Sequence, residues 1–237
     1  MRFKMLFPAL AGAMLFAATA VQAGTPAYLS AAVSADGRPA QAVALDAGRK
    51  PAQVLAFLGL KPGMAAADIM TGSGYWAEIM AAAVGPKGKV TAFEPAQFYN
   101  DPEEQAVWKA LTERRSDIDF VRYPFEAFTA GGRQFDFVII NLNYHDLYWE
   151  SAKYGIPHTD PKAFLKELFA AVTRALVEKL HRIDPSTVKA DFAAAGFRFE
   201  AASPLLANAA DDHSKLVFDP AVRGKTDRFL YRFRKPK

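Results

Sequence analysis

The sequence predicts an α/β fold, a doubly wound and mostly parallel sheet with helices on both faces. Three observations predict it. Short apolar runs alternate with stretches of helical spacing along the chain. The turn Met70-Thr71-Gly72-Ser73-Gly74 joins the first run to the helix after it, and a second run ends in Glu94. Strand, glycine turn, helix, strand and acid is the layout of a nucleotide-binding βαβ unit. Finally, Phe135 to Ile140 is nearly all apolar, the pattern of a parallel strand buried on both faces.

The first 23 residues read as a separate segment. Arg2 and Lys4 precede the apolar stretch Met5 to Ala20, and Val21-Gln22-Ala23 is a small-residue cleavage pattern before Gly24. That is a secretory signal peptide. The competing reading, a membrane anchor, needs a longer run. Residues 24–237 then form one domain, since 237 residues suffice for one good core. The chain contains no cysteine, which excludes disulfides, thiolate nucleophiles and Cys-ligated zinc. With the leader, the bacterial periplasm is the expected compartment. Formal net charge is +4, or +2 without Arg2 and Lys4, so the balance gives no argument for nucleic acid. No later segment is long and apolar enough to span a membrane.

In the mature chain, Thr25 to Ala44 reads as an irregular or partly helical lead-in. Asp46 is placed to cap the next helix, with Pro51 in its early turn and Lys61-Pro62-Gly63 ending it. The first strand runs to Asp68, and Tyr75 to Val84 is helical. Gly85-Pro86-Lys87-Gly88 turns into the second strand, which ends at Glu94. Asp101 and Pro102 begin a helix over Glu103 to Arg114; Ile118 to Val121 is the third strand and Phe135 to Ile140 the fourth. Lys162 to Leu176 and Pro185 to Ala195 are helical, and Gly196 closes the second of these. Phe197 to Ala202 and Phe229 to Phe233 are the last strands.

Asp68-Ile69-Met70-Thr71-Gly72-Ser73-Gly74-Tyr75 and Glu94 resemble class I S-adenosylmethionine-dependent methyltransferases. Asp46-Ala47-Gly48-Arg49-Lys50-Pro51, Asn143-Tyr144-His145-Asp146, His181-Arg182-Ile183-Asp184-Pro185 and the tail from Val217 to Asp227 narrow this. They resemble a family of exported bacterial proteins described as methyltransferases. The resemblance implies S-adenosyl-L-methionine as cofactor and a small-molecule acceptor. It implies that Asp68, Gly72, Ser73 and Gly74 meet the cofactor's amino-acid and sulfonium end. Glu94 would accept the ribose hydroxyls, and Glu126 would meet the adenine amino group. In that fold a Pro-Gly-Gly-type turn and a fifth strand follow the helix ending near Leu176. Here Arg174-Ala175-Leu176 runs straight into Val177-Glu178-Lys179-Leu180-His181. The final hairpin, or the Val177 to Ile183 segment, is then expected against the open edge of the fourth strand.

Polar residues crowd the end of the fourth strand, in Asn141-Leu142-Asn143-Tyr144-His145-Asp146. Ligands bind beyond the carboxyl ends of strands in open α/β sheets. Asn141 is a cofactor contact in this reading, and Tyr144, His145 and Asp146 are the catalytic candidates. His145 has the intrinsic pKa of a general base, and Tyr144 stacks on adenine or shapes the transfer pocket. The alternative for His145 is a structural hydrogen bond. Asp184 reads as a helix cap, and His158 and His213 with Asp211 and Asp212 as loop residues. No metal is expected. A non-catalytic module that binds S-adenosylmethionine or a nucleoside is the second functional class. A metal-dependent hydrolase using His145, Asp146 and His213 is the third.

Overall fold

The computed structural model describes residues 24–167 and 183–235. The leader, residues 168–182 with His181 among them, and residues 236–237 lie outside them. Four short helices lead in: α1 (Ala27–Val33), α2 (Ala40–Val43), α3 (Asp46–Arg49) and α4 (Pro51–Leu58). Then β1 (Ala65–Ile69), α5 (Tyr75–Val84), β2 (Lys89–Pro95), α6 (Pro102–Arg114) and β3 (Ile118–Tyr123) follow in alternation. After β4 (Phe137–Ile140) come α7 (Pro161–Glu167), α8 (Pro185–Ala194), β5 (Arg198–Ser203) and β6 (Leu230–Arg234).

The central sheet has the order β3-β2-β1-β4, and every pairing in it is parallel. Asp68 of β1 lies opposite Ala92 of β2 and Ile139 of β4. The chain winds outward from β1 to β3 and then returns to the other side of β1. Strand order therefore reverses between β1 and β4, and the crevice beyond their carboxyl ends is the place where such sheets hold ligands.

The period-2 alternation of strand side chains feeds two cores. Ala66, Val90, Ala92, Ile118, Phe137 and Ile139 face α5, with Leu29, Leu55, Trp108 and Leu111 filling in around it. Ala67, Ile69, Phe93 and Tyr123 face the other side, against Phe125, Phe128, Leu147, Tyr148 and Phe164. Burying each large apolar side chain contributes about 1.5–3 kcal/mol. This two-sided covering is the predicted fold class. The fifth-strand question lies partly in residues 177–182, outside the described residues.

Four expectations change. Asp46 makes no side-chain cap. It binds Arg38 through both oxygens, at 2.8 and 2.9 Å, and accepts from the Tyr75 hydroxyl at 2.7 Å. The helix over Val54 ends at Gly59, whose φ of 87° lets it close the last turn, before Lys61-Pro62-Gly63 is reached. β4 begins at Phe137, and Val138 is 41% exposed, so this strand is not buried on both faces. Among the described residues β1 is its one partner in the sheet. Finally, the hairpin of β5 and β6 is a separate antiparallel sheet and does not pair with β4. Aromatic packing draws it elsewhere: Phe233 stacks on Phe192 of α8 with centroids 4.3 Å apart, and Arg232 donates to the Phe57 carbonyl of α4.

Candidate functional site

The loop after β1 is held by side chains from four directions. Asp68 Oδ2 accepts from the Thr71 hydroxyl at 2.6 Å and from the Ala77 backbone N–H at 3.1 Å. It thereby satisfies a free donor in the first turn of α5. Trp108 Nε1 donates to the Gly72 carbonyl at 2.7 Å, with its ring stacked 4.0 Å from Phe120. Asn143 Nδ2, from beyond β4, donates to the Met70 carbonyl at 2.9 Å. Glu94 Oε2 accepts from the Gly72 N–H at 2.9 Å.

The two glycines do different work. Gly74 (φ 78°) faces Leu111 and the Trp108 ring, and a Cβ there would collide with Leu111. Gly72 (φ 56°) faces open space, with no atom within 4 Å of a Cβ position. Gly74 is needed for packing, and Gly72 leaves room for a ligand to approach backbone.

Two buried acids, Asp68 and Glu94, lie at this switch point, with the half-buried Asp146 near them. Glu94 is 3% exposed. Burial pushes its carboxyl up to about 8; the Gly72 N–H opposes this, while Glu104, Asp68 and Asp146 add repulsion. Burial likewise pushes Asp68 to about 7, against the bonds from Thr71 and Ala77, and Asp146 to about 7. Concentrated carboxylates favour hydroxyl donors and positive charge.

Along β4 runs an open cleft of about 1980 Å³. Asn141, Asn143, Tyr144, His145 and Asp146 line it; Gly72, Ser73, Gly74 and Glu94 do not. Two adjacent compartments result, one at the ends of β1 and β2 and one along β4. Asn143 bridges them through its bond to Met70. His145 Nε2 lies 3.3 Å from Asp146 Oδ1. The Tyr144 hydroxyl donates to Asp191 of α8 at 3.1 Å, and its ring packs near Phe192 and Tyr148. Burial drives the Tyr144 hydroxyl far above its ordinary pKa, so it stays protonated and shapes the cleft wall.

The structure brings Asp68, Gly72, Gly74 and Glu94 together at the ends of β1 and β2, and Asn141, Tyr144, His145 and Asp146 line the cleft beside them. Ser73 is exposed at the loop tip. Glu126 is exposed and accepts from Gln97 Nε2 at 3.0 Å, while Gln97 Oε1 accepts from the Phe125 N–H at 3.0 Å. Asp184 caps α8 by accepting from the Ser186 N–H at 2.7 Å. His158 pairs with Glu150 at 2.9 Å, and His213 with Asp227 at 3.1 Å. Among the described residues no three metal-ligating side chains cluster. Sequence reasoning missed Trp108 and Gln97, and named Asn143 only as part of the polar loop, without its bond to Met70. Trp108 carries only a core signal in sequence, whereas Asn143 lies in the polar loop already singled out.

A family profile described as protein-L-isoaspartate(D-aspartate) O-methyltransferase matches residues 27–112, the span from α1 into α6 that contains the glycine loop and Glu94. No curated protein matches the chain. Among solved structures, a SAM-dependent methyltransferase from Aquifex aeolicus is 21% identical, with a TM-score of 0.48 over 65% of this chain and 81% of that one. Aeropyrum pernix fibrillarin, solved with S-adenosyl-L-methionine, is 13% identical, with a TM-score of 0.44 over 79% of this chain and 75% of that one. A protein-L-isoaspartate O-methyltransferase is 23% identical, with a TM-score of 0.32 over 45% of this chain and 32% of that one. The glycine loop and Glu94 lie within the matched stretch: over residues 27–112 the chain is similar to a methyltransferase family, and the parallel β3-β2-β1-β4 sheet gives it a doubly wound α/β fold.

Proposed function

We propose that the protein is an S-adenosylmethionine-dependent methyltransferase acting on a small acceptor in the cell envelope. One observation carries the reading. The buried carboxylate of Glu94 meets the open glycine loop at Gly72, at the point where strand order reverses. Such an acid accepts ribose hydroxyls, and such a loop lets backbone approach a ligand. The family match over residues 27–112 and the solved S-adenosylmethionine complex of fibrillarin support the same cofactor.

The cofactor, when bound, supplies a methyl group already activated by its sulfonium. The chain's own task is to align an acceptor and exclude water. Gly72 leaves the space, Glu94 takes the ribose, and Asp68 holds the loop in shape. Ser73 and Asn141 border the cofactor's path, and Glu126 sits with Gln97 beyond β3, on the adenine side. In the cleft along β4, His145 takes the acceptor's proton while Asp146 steadies the imidazole. Tyr144, tied to Asp191, forms the cleft wall. Export follows from the leader: residues 1–23 are removed and the domain works in the periplasm.

A second reading is a non-catalytic binding module of the same fold. The outer edge of β4, unpaired among the described residues, favours it, because β4 lines the cleft that would take the acceptor. Methyl-labelled S-adenosylmethionine separates the two. Incubation of the purified chain with the small-molecule fraction of the periplasm should label an acceptor, and His145→Gln should abolish the label. Cofactor binding without any labelled product selects the binding module.

A further inference from the structure

Two arginines on the cleft have donors to spare. Arg49, the last residue of α3, lies 4.3 Å over the ring of Tyr75, which begins α5 directly after Gly74. Its guanidinium makes no hydrogen bond or salt bridge among the described residues, and the charges of Asp68 and Asp46 act on it from a distance. Arg228, just before β6, donates one terminal N–H to the Gly48 carbonyl at 2.8 Å. Its Nε is buried and has no hydrogen-bond partner among the described residues. Both line the cleft that holds Tyr144, His145 and Asp146.

Neighbouring acids do not take up these donors. Asp46 gives both oxygens to Arg38 and one also to Tyr75. Asp68 is turned into its own loop, toward Thr71 and Ala77. Burial disfavours charge on both arginines, and the Arg49 charge adds to this at Arg228. Two like charges held together with unspent donors are unfavourable until an anion joins them. The planar guanidinium fork matches a carboxylate through two parallel hydrogen bonds. Asp46 and Asp68 nearby oppose a dianion, so a singly charged group fits better than phosphate. Arg49 is also rigidly placed, between the short α3 and the Pro51 that opens α4.

We propose that Arg49 and Arg228 form a carboxylate-binding subsite where the cleft meets the start of α5. Two sources of carboxylate fit this place. One is the amino-acid end of the cofactor, a case that rests on the methyltransferase reading. The other is a free carboxylate on the acceptor.

Calorimetry on the purified chain distinguishes them with three probes. These are S-adenosylhomocysteine, 5′-methylthioadenosine, which lacks the amino-acid end, and succinate. If the cofactor supplies the carboxylate, Arg49→Gln and Arg228→Gln each weaken S-adenosylhomocysteine by about tenfold or more and leave 5′-methylthioadenosine unchanged. If the carboxylate is free, both nucleosides bind as in the parent, and succinate binding is lost in the variants. Arg49→Lys and Arg228→Lys, which keep the charge but not the fork, serve where a Gln variant fails to fold, and they should fall between. Variants that bind all three probes like the parent overturn the proposal, as does a parent that prefers inorganic phosphate to succinate at the same arginines. A parent that binds neither nucleoside refutes the methyltransferase reading, and the succinate arm then decides the arginines alone.

Discussion

The backbone N–H of Gly72 donates to Oε2 of Glu94 at 2.9 Å, and this bond joins the loop after β1 to the acid at the end of β2. It binds a carboxyl that burial has already pushed to about 8. Asp68 and Asp146 beside it stand at about 7. All three are raised above their unfolded values, so the folded chain binds more protons between those values and about 8. Stability is then fullest in acid and declines as pH rises through 7 and 8. Thermal unfolding between about pH 5 and about pH 8.5 should show Tm falling, with a shallower fall in Glu94→Gln. A Tm that climbs over this range would contradict the placement of these acids.

Gly72 and Gly74 should separate by substitution. Gly74→Ala drives a methyl into Leu111 and the Trp108 ring, at a φ of 78°. It should cost about 1–3 kcal/mol in stability. Gly72→Asn places a side chain that tolerates φ of 56° into open space. It should fold with a loss of about 1 kcal/mol or less and bind S-adenosylhomocysteine poorly. Denaturant unfolding with ligand titration reads both. Equal destabilisation by the two variants would remove the distinction.

Trp108→Phe keeps a ring against Phe120 but loses the donor to the Gly72 carbonyl. The expected cost is about 1 kcal/mol, with weakened ligand affinity because the loop loses one of its four supports. Unchanged affinity would show that the loop is held without Trp108.

Much of this was legible in sequence because local rules and tertiary demands agree. Tyr75 to Val84 is helical over the predicted span, and Asp101 caps α6 by accepting from the Glu103 N–H at 2.7 Å. The meeting of Glu94 with the glycine loop follows from the βαβ layout alone. What failed depends on partners distant in sequence. Asp46 is spent on Arg38 and Tyr75, which no capping pattern foretells. Val138 sits in an apolar run but points to the sheet face opposite Phe137 and Ile139, where it stays 41% exposed. The final hairpin takes its place from Phe192 and Phe233, an aromatic stack between residues that give no local signal of each other.

The leader makes a separate prediction. Intact mass of periplasmic material should correspond to a chain beginning at Gly24, after cleavage at Ala23. A full-length mass in the membrane fraction would instead identify the first 23 residues as an anchor.

The central claim is that a nucleoside cofactor sits on Gly72 and Glu94. Calorimetric titration of S-adenosylhomocysteine into the parent chain and Glu94→Ala tests it most directly. Saturable one-to-one binding to the parent, weakened about tenfold or more in Glu94→Ala, is the predicted result, because the ribose hydroxyls lose their acceptor. Equal affinity in the two proteins, or no binding to the parent, would contradict it.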